Sequence, residues 1–507
     1  MKRTLFVALA LLCSTLYAGA KPRWITYEKY GAKGDGVTDD LDAIVAAHEA
    51  ANAKGLPVKA KDGATYYIGG AKKSAVIRTD TDFGKASFII DDTSLESIKS
   101  PVFIVESDKS PIKTKCRNIP RKGDSSIDLK LPCRCLVALL DNSHKVYIRK
   151  GLNRNNGTGM NEVLIVNPDG SIDPDAGIVW DYNQPPVATA YPIDEKTLTI
   201  SGGTFTTIAN QWDSESQYHD RGIRVNRSNV RLVGITHLVT GELDHGAPYS
   251  GFLNIRHSAF VSIEDCILTG HKTYSTIGRA GKPVSMGSYD LSINSSIYVT
   301  MKNCSQTSDL DDKTYWGLMG TNFCKNLQME NCSVSRFDAH QGVRNVTMKN
   351  CTFGHMGVRM VGWGTILLEN CYVRHNSLIS LRPDYGSTWD GEIIIRNCTL
   401  CPRTKAESPF ILSGSNNGKH DFGYLCTLPS RIEINGLTID DSIYEGDPQY
   451  PGPRIFASFN YNTEEEGLLP YPAKGEVILR NITVSSGKEI QLSPNPKLFA
   501  EYNIVRE

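Results

Sequence analysis

The stretch Val346–Cys351 has the sequence VTMKNC, and the stretch Ile366–Cys371, which begins twenty residues later, has the sequence ILLENC. Both place a short run rich in apolar residues before an Asn-Cys pair, and in the first run apolar and polar residues alternate. Alternation with a period of two is typical of a β-strand that buries one face. Asn tolerates the backbone conformations of tight turns. The motif therefore predicts a strand that ends in a turn.

The motif recurs along much of the chain. Copies with Cys stand at Val261–Cys266, Val299–Cys304, Leu327–Cys332 and Ile393–Cys398, and weaker copies begin at Leu198, Val230, Ile432 and Val477. Successive Cys positions are 38, 28, 19, 20 and 27 residues apart, so the shortest spacings indicate bare coils and the others indicate coils with loops. The runs are too short and too rich in Val, Ile and Thr for helices. Stacked repeats of this kind predict an all-β protein, a right-handed parallel β-helix.

The repeated Asn and Cys residues have a structural explanation. Asn side chains stacked at one turn can form a hydrogen-bonded ladder, and Cys can fill a small interior position. We therefore expect these residues to build the coils and to take no part in chemistry. Cys116, Cys133 and Cys135 lie outside the repeat and are the better candidates for disulfides.

Length and composition constrain the domain organisation. The chain has 507 residues, which would suggest two to four compact domains, but a solenoid is free of this limit because each repeat packs only on its neighbours. We predict one β-helix domain over residues 21–507, with irregular coils and loops at about 66–195 and regular coils at about 196–485. Lys+Arg and Asp+Glu are both 55, so no global field favours nucleic acid or a membrane surface.

The first twenty residues have the features of a cleaved signal peptide. Lys2 and Arg3 precede a short apolar run, and Ala18-Gly19-Ala20 fits a cleavage site. The apolar run is too short for a stable membrane anchor. Cys13 raises the alternative of an outer-membrane lipoprotein, but Leu12 stands where a small residue is expected. The sequence predicts a periplasmic or secreted protein without a transmembrane segment.

The N-terminal stretch carries a resemblance to a known family. Tyr30–Asp40 reads YGAKGDGVTDD and is followed by a helix-like run over residues 41–53. This resembles the opening of the pectate-lyase-like right-handed β-helix superfamily. The resemblance implies a short helix that caps the open end of the solenoid, and structural roles for the Asp and Gly residues. Lyases, hydrolases and phage tailspikes share this signature, so it does not identify a reaction.

A cluster of basic side chains recurs at fixed distances from the repeated Cys. The fourth and eighth residues after Cys332, Cys351 and Cys371 include five such side chains: Arg336, His340, His355, Arg359 and His375. Arg382 and Tyr385 follow on the next coil. Neighbouring coils are roughly 4.8 Å apart, so these groups can reach one sugar unit. A bound polyanion would supply the missing negative charge, whereas ordinary surface salt bridges to Asp338, Asp384 and Glu369 are the structural alternative.

A second set of polar residues precedes this cluster. Trp316, His271 and Tyr274 are candidates for sugar contacts, and Lys325 is a further candidate base. The stretch Asp309-Leu-Asp311-Asp312 offers hard oxygen ligands for Ca²⁺ but lacks the full spacing of a known calcium loop. No other cofactor is indicated, and the sequence leaves the oligomeric state open.

Three functions fit these residues. A uronate lyase needs a cation for the substrate carboxylate, a base and an acid, and Arg with His, Lys or Tyr supplies all three. A hydrolase needs two carboxylates. Asp311-Asp312 and Arg403-Thr404-Lys405 partly match the motifs of β-helix hydrolases, but their Asn-Thr-Asp motif is absent. The third alternative is an adhesin-like β-helix that binds glycan without cutting it.

The lyase interpretation is favoured, with cleavage of an acidic polysaccharide by β-elimination. Four stretches, together with the N-terminal signature, resemble glycosaminoglycan lyases of Bacteroidetes, polysaccharide lyase family twenty-nine: Trp316–Asn326, Ser335–Gly342, Gly354–Gly357 and Leu381–Trp389. This resemblance implies chondroitin sulfate or hyaluronan as substrate.

The stacking argument suggests roles for the basic cluster. Arg359 and Arg382 would bind the uronate carboxylate, with Arg336, His375, Asp338, Trp316, His271 and Tyr274 as further substrate-binding or orienting residues. His355 or His340 would be the base, with Lys325 as another candidate. Tyr385 or a histidine would return the proton to the leaving oxygen.

Overall fold

The computed structural model of the chain describes residues 24–95, 99–149, 151–210, 218–243, 247–307, 309–317, 319–416, 418, 420–459 and 473–507. The predicted signal peptide lies outside these residues. In the described part of the chain no helix is long and apolar enough to cross a membrane.

The N-terminal coils contain one α-helix, α1 (Leu41–Lys54), and six strands: β1 (Asp35–Asp39), β2 (Val58–Lys59), β3 (Thr65–Ile68), β4 (Ala75–Ile77), β5 (Thr81–Asp91) and β6 (Phe103–Glu106). α1 buries Leu41, Ile44, Ala47 and Ala51 against the end of the hydrophobic core, as the predicted capping helix should. The Asp40 carboxylate accepts hydrogen bonds from the backbone of Lys33 and Gly34, which agrees with a structural role for the signature.

An antiparallel sheet is inserted between β6 and the next coil. Its strands are β7 (Ile112–Lys115), β8 (Cys135–Val146), β9 (Thr158–Val166) and β10 (Val187–Pro192), in the spatial order β7-β10-β8-β9. We call residues 112–192 the inserted sheet. It has its own apolar core, which packs on Phe323, Trp363, Tyr385 and Tyr424 of the helix coils.

The remaining strands build the solenoid: β11 (Leu198–Ile208), β12 (Ile223–Asn226), β13 (Val230–Val233), β14 (Thr236–Thr240), β15 (Leu253–Arg256), β16 (Ala259–Glu264), β17 (Ile267–Leu268), β18 (Tyr274–Ile277), β19 (Pro283–Met286), β20 (Leu291–Asn294), β21 (Ile297–Lys302), β22 (Ser305–Gln306), β23 (Met319–Glu330), β24 (Ser333–Lys349), β25 (Thr352–Glu369), β26 (Tyr372–Val373), β27 (Ser377–Leu381), β28 (Trp389–Leu400), β29 (Phe410–Ser413), β30 (Arg431–Ile439), β31 (Arg454–Phe456), β32 (Lys474–Val484) and β33 (Glu501–Arg506). Apart from the β18–β19 hairpin, they pair in parallel. Short 3₁₀ turns occupy Tyr27–Tyr30, Pro174–Ala176, Pro383–Tyr385, Ser442–Tyr444 and Pro496–Phe499.

The coils stack into three parallel ladders around one core. The first ladder contains the strands before the Asn-Cys turn, such as β16, β21, β28 and β30. The second contains the short strands after that turn, such as β17 and β22. The third runs through β6, β12, β15, β20, β23, β24, β25, β27, β29 and β31. The right-handed parallel β-helix predicted from the repeat is confirmed.

The repeated turn forms the ladder expected from the sequence. Asn331, Asn350 and Asn370 each donate a side-chain hydrogen bond of 3.0 to 3.1 Å to the Asx residue one coil earlier. Their φ angles are 53 to 54°, a left-handed conformation that Asn tolerates better than most residues. The six Cys residues that follow the turns are buried in the core. Their structural role is therefore confirmed.

The disulfide expectation is not met. Every cysteine of the described chain is an unpaired thiol. Cys116 is buried in the core of the inserted sheet, and the Cys135 thiol donates to the carbonyl of Cys133 at 3.3 Å. Local packing thus satisfies these thiols without a covalent bridge.

Candidate functional site

The outer face of the third ladder is the floor of a groove of about 1180 Å³. Arg359 on β25 pairs in register with Ser380 on β27, which pairs with Ser413 on β29. Loops that enter the ladder form one wall, with Lys313, Arg403 and Thr404. Loops that leave it form the other wall, with Pro383, His420 and Phe422. Loops on both sides of the third ladder thus frame a single face.

Alternation along each strand separates the core from the site. Phe337 and Ala339 point into the core, so Arg336 and Asp338 point outward; one coil further, Val358 and Met360 point inward and Arg359 points outward. The basic residues do not stack on one another as the sequence spacing predicted, because Asp338 lies opposite Arg359 and Arg359 lies opposite Ser380. Arg336 lies opposite Gly357, and His355 lies in the irregular segment between Phe353 and Gly357, where the register shifts.

A chain of alternating charges lies at one end of the groove. Asp338 accepts hydrogen bonds from Arg336 Nη2 at 2.5 Å, Arg382 Nη1 at 2.7 Å and the Tyr289 hydroxyl at 3.1 Å. Arg382 also donates to both carboxylate oxygens of Asp384, at 3.2 and 2.9 Å. Arg149, from the inserted sheet, reaches Asp384 at 2.6 Å. The sequence argument missed Arg149 because it follows β8 in the irregular region, where no repeat marks its position.

The two carboxylates of this chain are strong anions. Neighbouring Arg336 and Arg382 hold the pKa of Asp338 well below its usual range despite complete burial. Arg382 and Arg149 likewise lower the pKa of Asp384 against the opposing effect of burial. A glycosidase needs one carboxyl group with a raised pKa as its acid. Asp338 and Asp384 do not meet that requirement.

Arg359 differs from the other site arginines. Within the described chain no hydrogen bond or salt bridge engages its guanidinium, and its Nε is buried without a partner. Burial, helped by the neighbouring Arg336 and Arg382, lowers its pKa to about 10, so it remains a cation at neutral pH. The charges of Asp338 and Asp384 oppose this shift, but neither carboxylate forms a salt bridge with Arg359. A half-buried cation without a directly paired anion is costly unless an anion binds it. Arg359 is therefore a candidate anion-binding position on the groove floor.

Two histidines flank Arg359, and the backbone gives them opposite tautomers. His355 Nδ1 lies 3.0 Å from the carbonyl oxygen of Leu310, so Nδ1 carries a hydrogen, and Nε2 is the acceptor of the neutral ring. His375 Nδ1 instead lies 3.0 Å from the backbone nitrogen of Ser377 and 3.4 Å from its carbonyl oxygen. The shorter contact, in which Nδ1 accepts the Ser377 N–H, favours a hydrogen on Nε2. Burial and Arg359 lower the pKa of His375 to about 4, which keeps its ring neutral. The groove thus contains an imidazole acceptor and an imidazole donor.

Several predicted residues lie behind the groove. Tyr385 is buried between Tyr147 of the inserted sheet and His340, so it packs the inserted sheet onto the helix. Burial lowers the pKa of His340 to about 3. Neither residue lines the groove, in contrast to His355, Arg359, His375 and Arg382. Arg336 is buried under Trp316, whose ring centre is 4.7 Å from the guanidinium carbon.

Three predicted residues lie elsewhere, and their assignment is corrected. Lys325 is 3% exposed and forms a 2.7 Å ion pair with Glu162 of the inserted sheet, so it cannot reach a substrate in the groove. His271 is buried, pairs with Glu242 at 3.0 Å and stacks on Tyr249. Tyr274 is buried in the β18–β19 hairpin. Loop lengths differ from coil to coil, and the sequence spacing did not show that these side chains turn away from the third ladder.

The acidic stretch considered for calcium is occupied by other contacts. Asp311 pairs with Arg403 at 2.9 Å and also with Arg374, and Asp312 accepts hydrogen bonds from Thr314. Among the described residues no group of three or more His, Cys, Asp or Glu side chains is arranged to hold a metal ion. These residues do not fit a calcium site.

Comparisons with known proteins support the fold. The sequence matches no protein-family model and no curated protein. The structure resembles tailspike gp49 of Pseudomonas phage LKA1, with a TM-score of 0.53 and 14% identity over 95% of this chain and 84% of that one. It also resembles tailspike gp61 of Pseudomonas phage phi297, with a TM-score of 0.54 and 14% identity over 93% and 82% of the two chains.

A third similar structure was solved with a bound sugar. It is the Gp54 tailspike of Acinetobacter baumannii bacteriophage AP22 in complex with A. baumannii capsular saccharide, with a TM-score of 0.51 and 12% identity over 95% of this chain and 73% of that one. All three are right-handed β-helix proteins. At this level of identity, the likeness establishes a shared architecture.

Proposed function

We propose that this protein is an exported lyase that cleaves a uronate-containing polysaccharide by β-elimination. The observation that carries the proposal is Arg359, a half-buried cation without a salt-bridge partner among the described residues, on the floor of a long groove that His355 and His375 also line. A uronate carboxylate would supply that partner. The tailspike solved with a capsular saccharide supports a glycan as the ligand of such a fold.

The reaction assigns one role to each of the three residues. Arg359 neutralises the uronate carboxylate, which acidifies the neighbouring C5–H bond. His355 Nε2 removes that proton as the C4–C5 double bond forms and the C4–O bond breaks. His375 Nε2–H donates a hydrogen bond to the departing oxygen. Protonated His355 then supplies the proton that completes the leaving alcohol, so atoms and charge balance.

The substrate class remains part of the proposal. The resemblance to polysaccharide lyase family twenty-nine favours chondroitin sulfate or hyaluronan. Neighbouring arginines lower the pKa of both Asp338 and Asp384, so these two carboxyl groups are unsuited to act as the acid of a glycosidase.

The test is ultraviolet absorbance of unsaturated uronate with a panel of chondroitin and dermatan sulfates, hyaluronan, heparin, alginate and pectin. We expect one or more of these to be cleaved, and chelator to leave the rate unchanged because Asp311 is already paired with two arginines. New reducing ends without the absorbance would identify a hydrolase. Binding without either signal would identify a glycan-binding module.

Variants at Arg359 test the observation itself. Arg359→Ala should lower kcat/KM roughly 100- to 1,000-fold, the usual effect of removing a charge-stabilising donor. Arg359→Lys should recover part of the rate, since it keeps the charge but loses the planar fork. Arg431→Ala is the control, because Arg431 lies on the first ladder in a surface salt bridge with Glu433. Equal rates for Arg359→Ala and the control would contradict the assignment.

A further inference from the structure

We infer that the enzyme acts at the end of its polysaccharide chain, because the groove is closed one coil before the site. This inference rests on the proposed function and deepens it. On the third ladder Asp338, Arg359, Ser380 and Ser413 occupy successive coils. Arg359 and the two serine positions line the groove, whereas none of its described lining residues comes from β23 or β24.

The closure is built from large side chains packed above the Asp338 coil. Asp338 is fully buried, and the Tyr289 hydroxyl donates to it. Arg336 lies between the rings of Trp316 and Tyr289, at 4.7 and 5.7 Å from their centres. A chain that continued past Arg359 along the ladder would have to displace these rings.

Glycine positions show how tightly this barrier is packed. A Cβ atom at Gly287 would lie 1.5 Å from the Trp316 ring, and one at Gly320 would lie 2.9 Å from the Tyr289 ring. A Cβ at Gly317 would lie 2.7 Å from Arg336. Three glycine positions thus lack side chains where the barrier packs against them. The barrier is a closely packed wall and not a loose flap.

In the opposite direction, the described part of the floor differs in chemistry. From Arg359 the floor continues through Ser380 and Ser413 to Ala457, all small and uncharged. Three steps of roughly 4.8 Å give a length of ~14 Å, enough for several sugar rings in line with the helix axis. The reacting groups therefore lie at the closed end of the groove. The terminal uronate enters it and the rest of the chain extends toward Ala457.

The first test follows the products of wild-type protein on its polysaccharide. Size-exclusion chromatography early in the reaction should show one short product and a polymer peak of unchanged size. A ladder of intermediate sizes with a rapid fall in viscosity would overturn the inference. New reducing ends should be counted as well as unsaturated uronate, so that the test does not depend on the type of bond cleavage. A hydrolase would contradict the proposed lyase activity, but its product sizes would still show whether it cuts at the chain end or within the chain.

The second test uses binding and needs no turnover. With His355→Ala protein, the number of protein molecules bound per chain should stay near one across fractions of increasing length. Bulky blocking groups on both chain ends should abolish binding. Stoichiometry that grows with chain length, or unchanged binding of blocked chains, would overturn the inference.

A third test uses a groove variant to find the direction in which the polysaccharide chain extends. Ser413→Trp should fill the open part of the groove and raise KM at least tenfold on the polymer. Ser262→Trp is the control, because Ser262 lies on the outer face of the first ladder. Equal KM values for these two variants would place the chain elsewhere and contradict the proposed path.

Discussion

At the scale of single residues, the two groove histidines are distinguished by their backbone partners and not by their sequence context. Both follow a repeated Cys by four positions. The Leu310 carbonyl fixes one tautomer and the Ser377 amide fixes the other. Without those contacts, either ring could have been assigned as the base.

This difference predicts unequal effects of mutation. His355→Ala should lower kcat by roughly 100- to 10,000-fold with little change in KM, because it removes the proton acceptor. His375→Gln should cost less, because an amide can still donate a hydrogen bond to the leaving oxygen. Steady-state kinetics on the cleaved glycan measures both effects.

A control separates this effect from damage to the fold. His257 is also half-buried but stacks on Tyr191 of the inserted sheet, away from the groove, and its φ of 46° suits Asn. His257→Asn should therefore keep the wild-type rate. If His355→Ala is as active as this control, His355 is not the base.

At the scale of structural elements, the sequence predicted the coils of the β-helix better than the contacts of the side chains that point outward from them. The Asn-Cys motif is repeated and local, so it indicated both the turn ladder and the buried thiols. The inserted sheet has no repeat, and its contacts join residues far apart in sequence, such as Lys325 and Glu162. From the sequence, Lys325 was therefore a candidate catalytic base, although its ion pair with Glu162 joins the inserted sheet to the coils of the β-helix.

The same pair gives a prediction at this scale. Glu162→Gln leaves the buried Lys325 ammonium without its anion and should lower the free energy of unfolding by ~3–5 kcal/mol. The double variant Glu162→Gln/Lys325→Met removes both charges and should be less destabilised than Glu162→Gln alone. Denaturant titration measures both, and the double variant should keep wild-type kcat below its unfolding transition. A large loss of kcat in a folded double variant would return Lys325 to the site.

At the scale of the whole molecule, the N-terminal cap makes stability depend on pH. His48 of α1 is fully buried, and its Nε2 contacts the Tyr27 hydroxyl at 3.0 Å. Burial lowers the pKa of His48 from 6.5 to about 3. Between these values the unfolded chain binds a proton that the folded chain excludes, so stability is lost as the pH falls through this window.

Removing this histidine should flatten the acid dependence. His48→Phe keeps an aromatic ring but cannot bind a proton, so the slope of unfolding free energy against pH should decrease by up to ~1.4 kcal/mol per pH unit between pH 6.5 and about 3. Tyr27→Phe loses the same hydrogen bond but retains the titrating ring, and its slope should match wild type. Thermal or urea unfolding across this range provides the comparison. An unchanged slope in His48→Phe would show that the cap does not limit acid stability.

The chain of alternating charges has a consequence for biosynthesis. Arg149 is translated 235 residues before its partner Asp384, and Glu162 is translated 163 residues before Lys325. During vectorial synthesis, the inserted sheet therefore emerges with both charges unpaired until the later coils are made. A nascent chain truncated before Asp384 cannot complete the chain of alternating charges. Such fragments contain the early coils of the solenoid but lack the assembled charge cluster at the end of the groove.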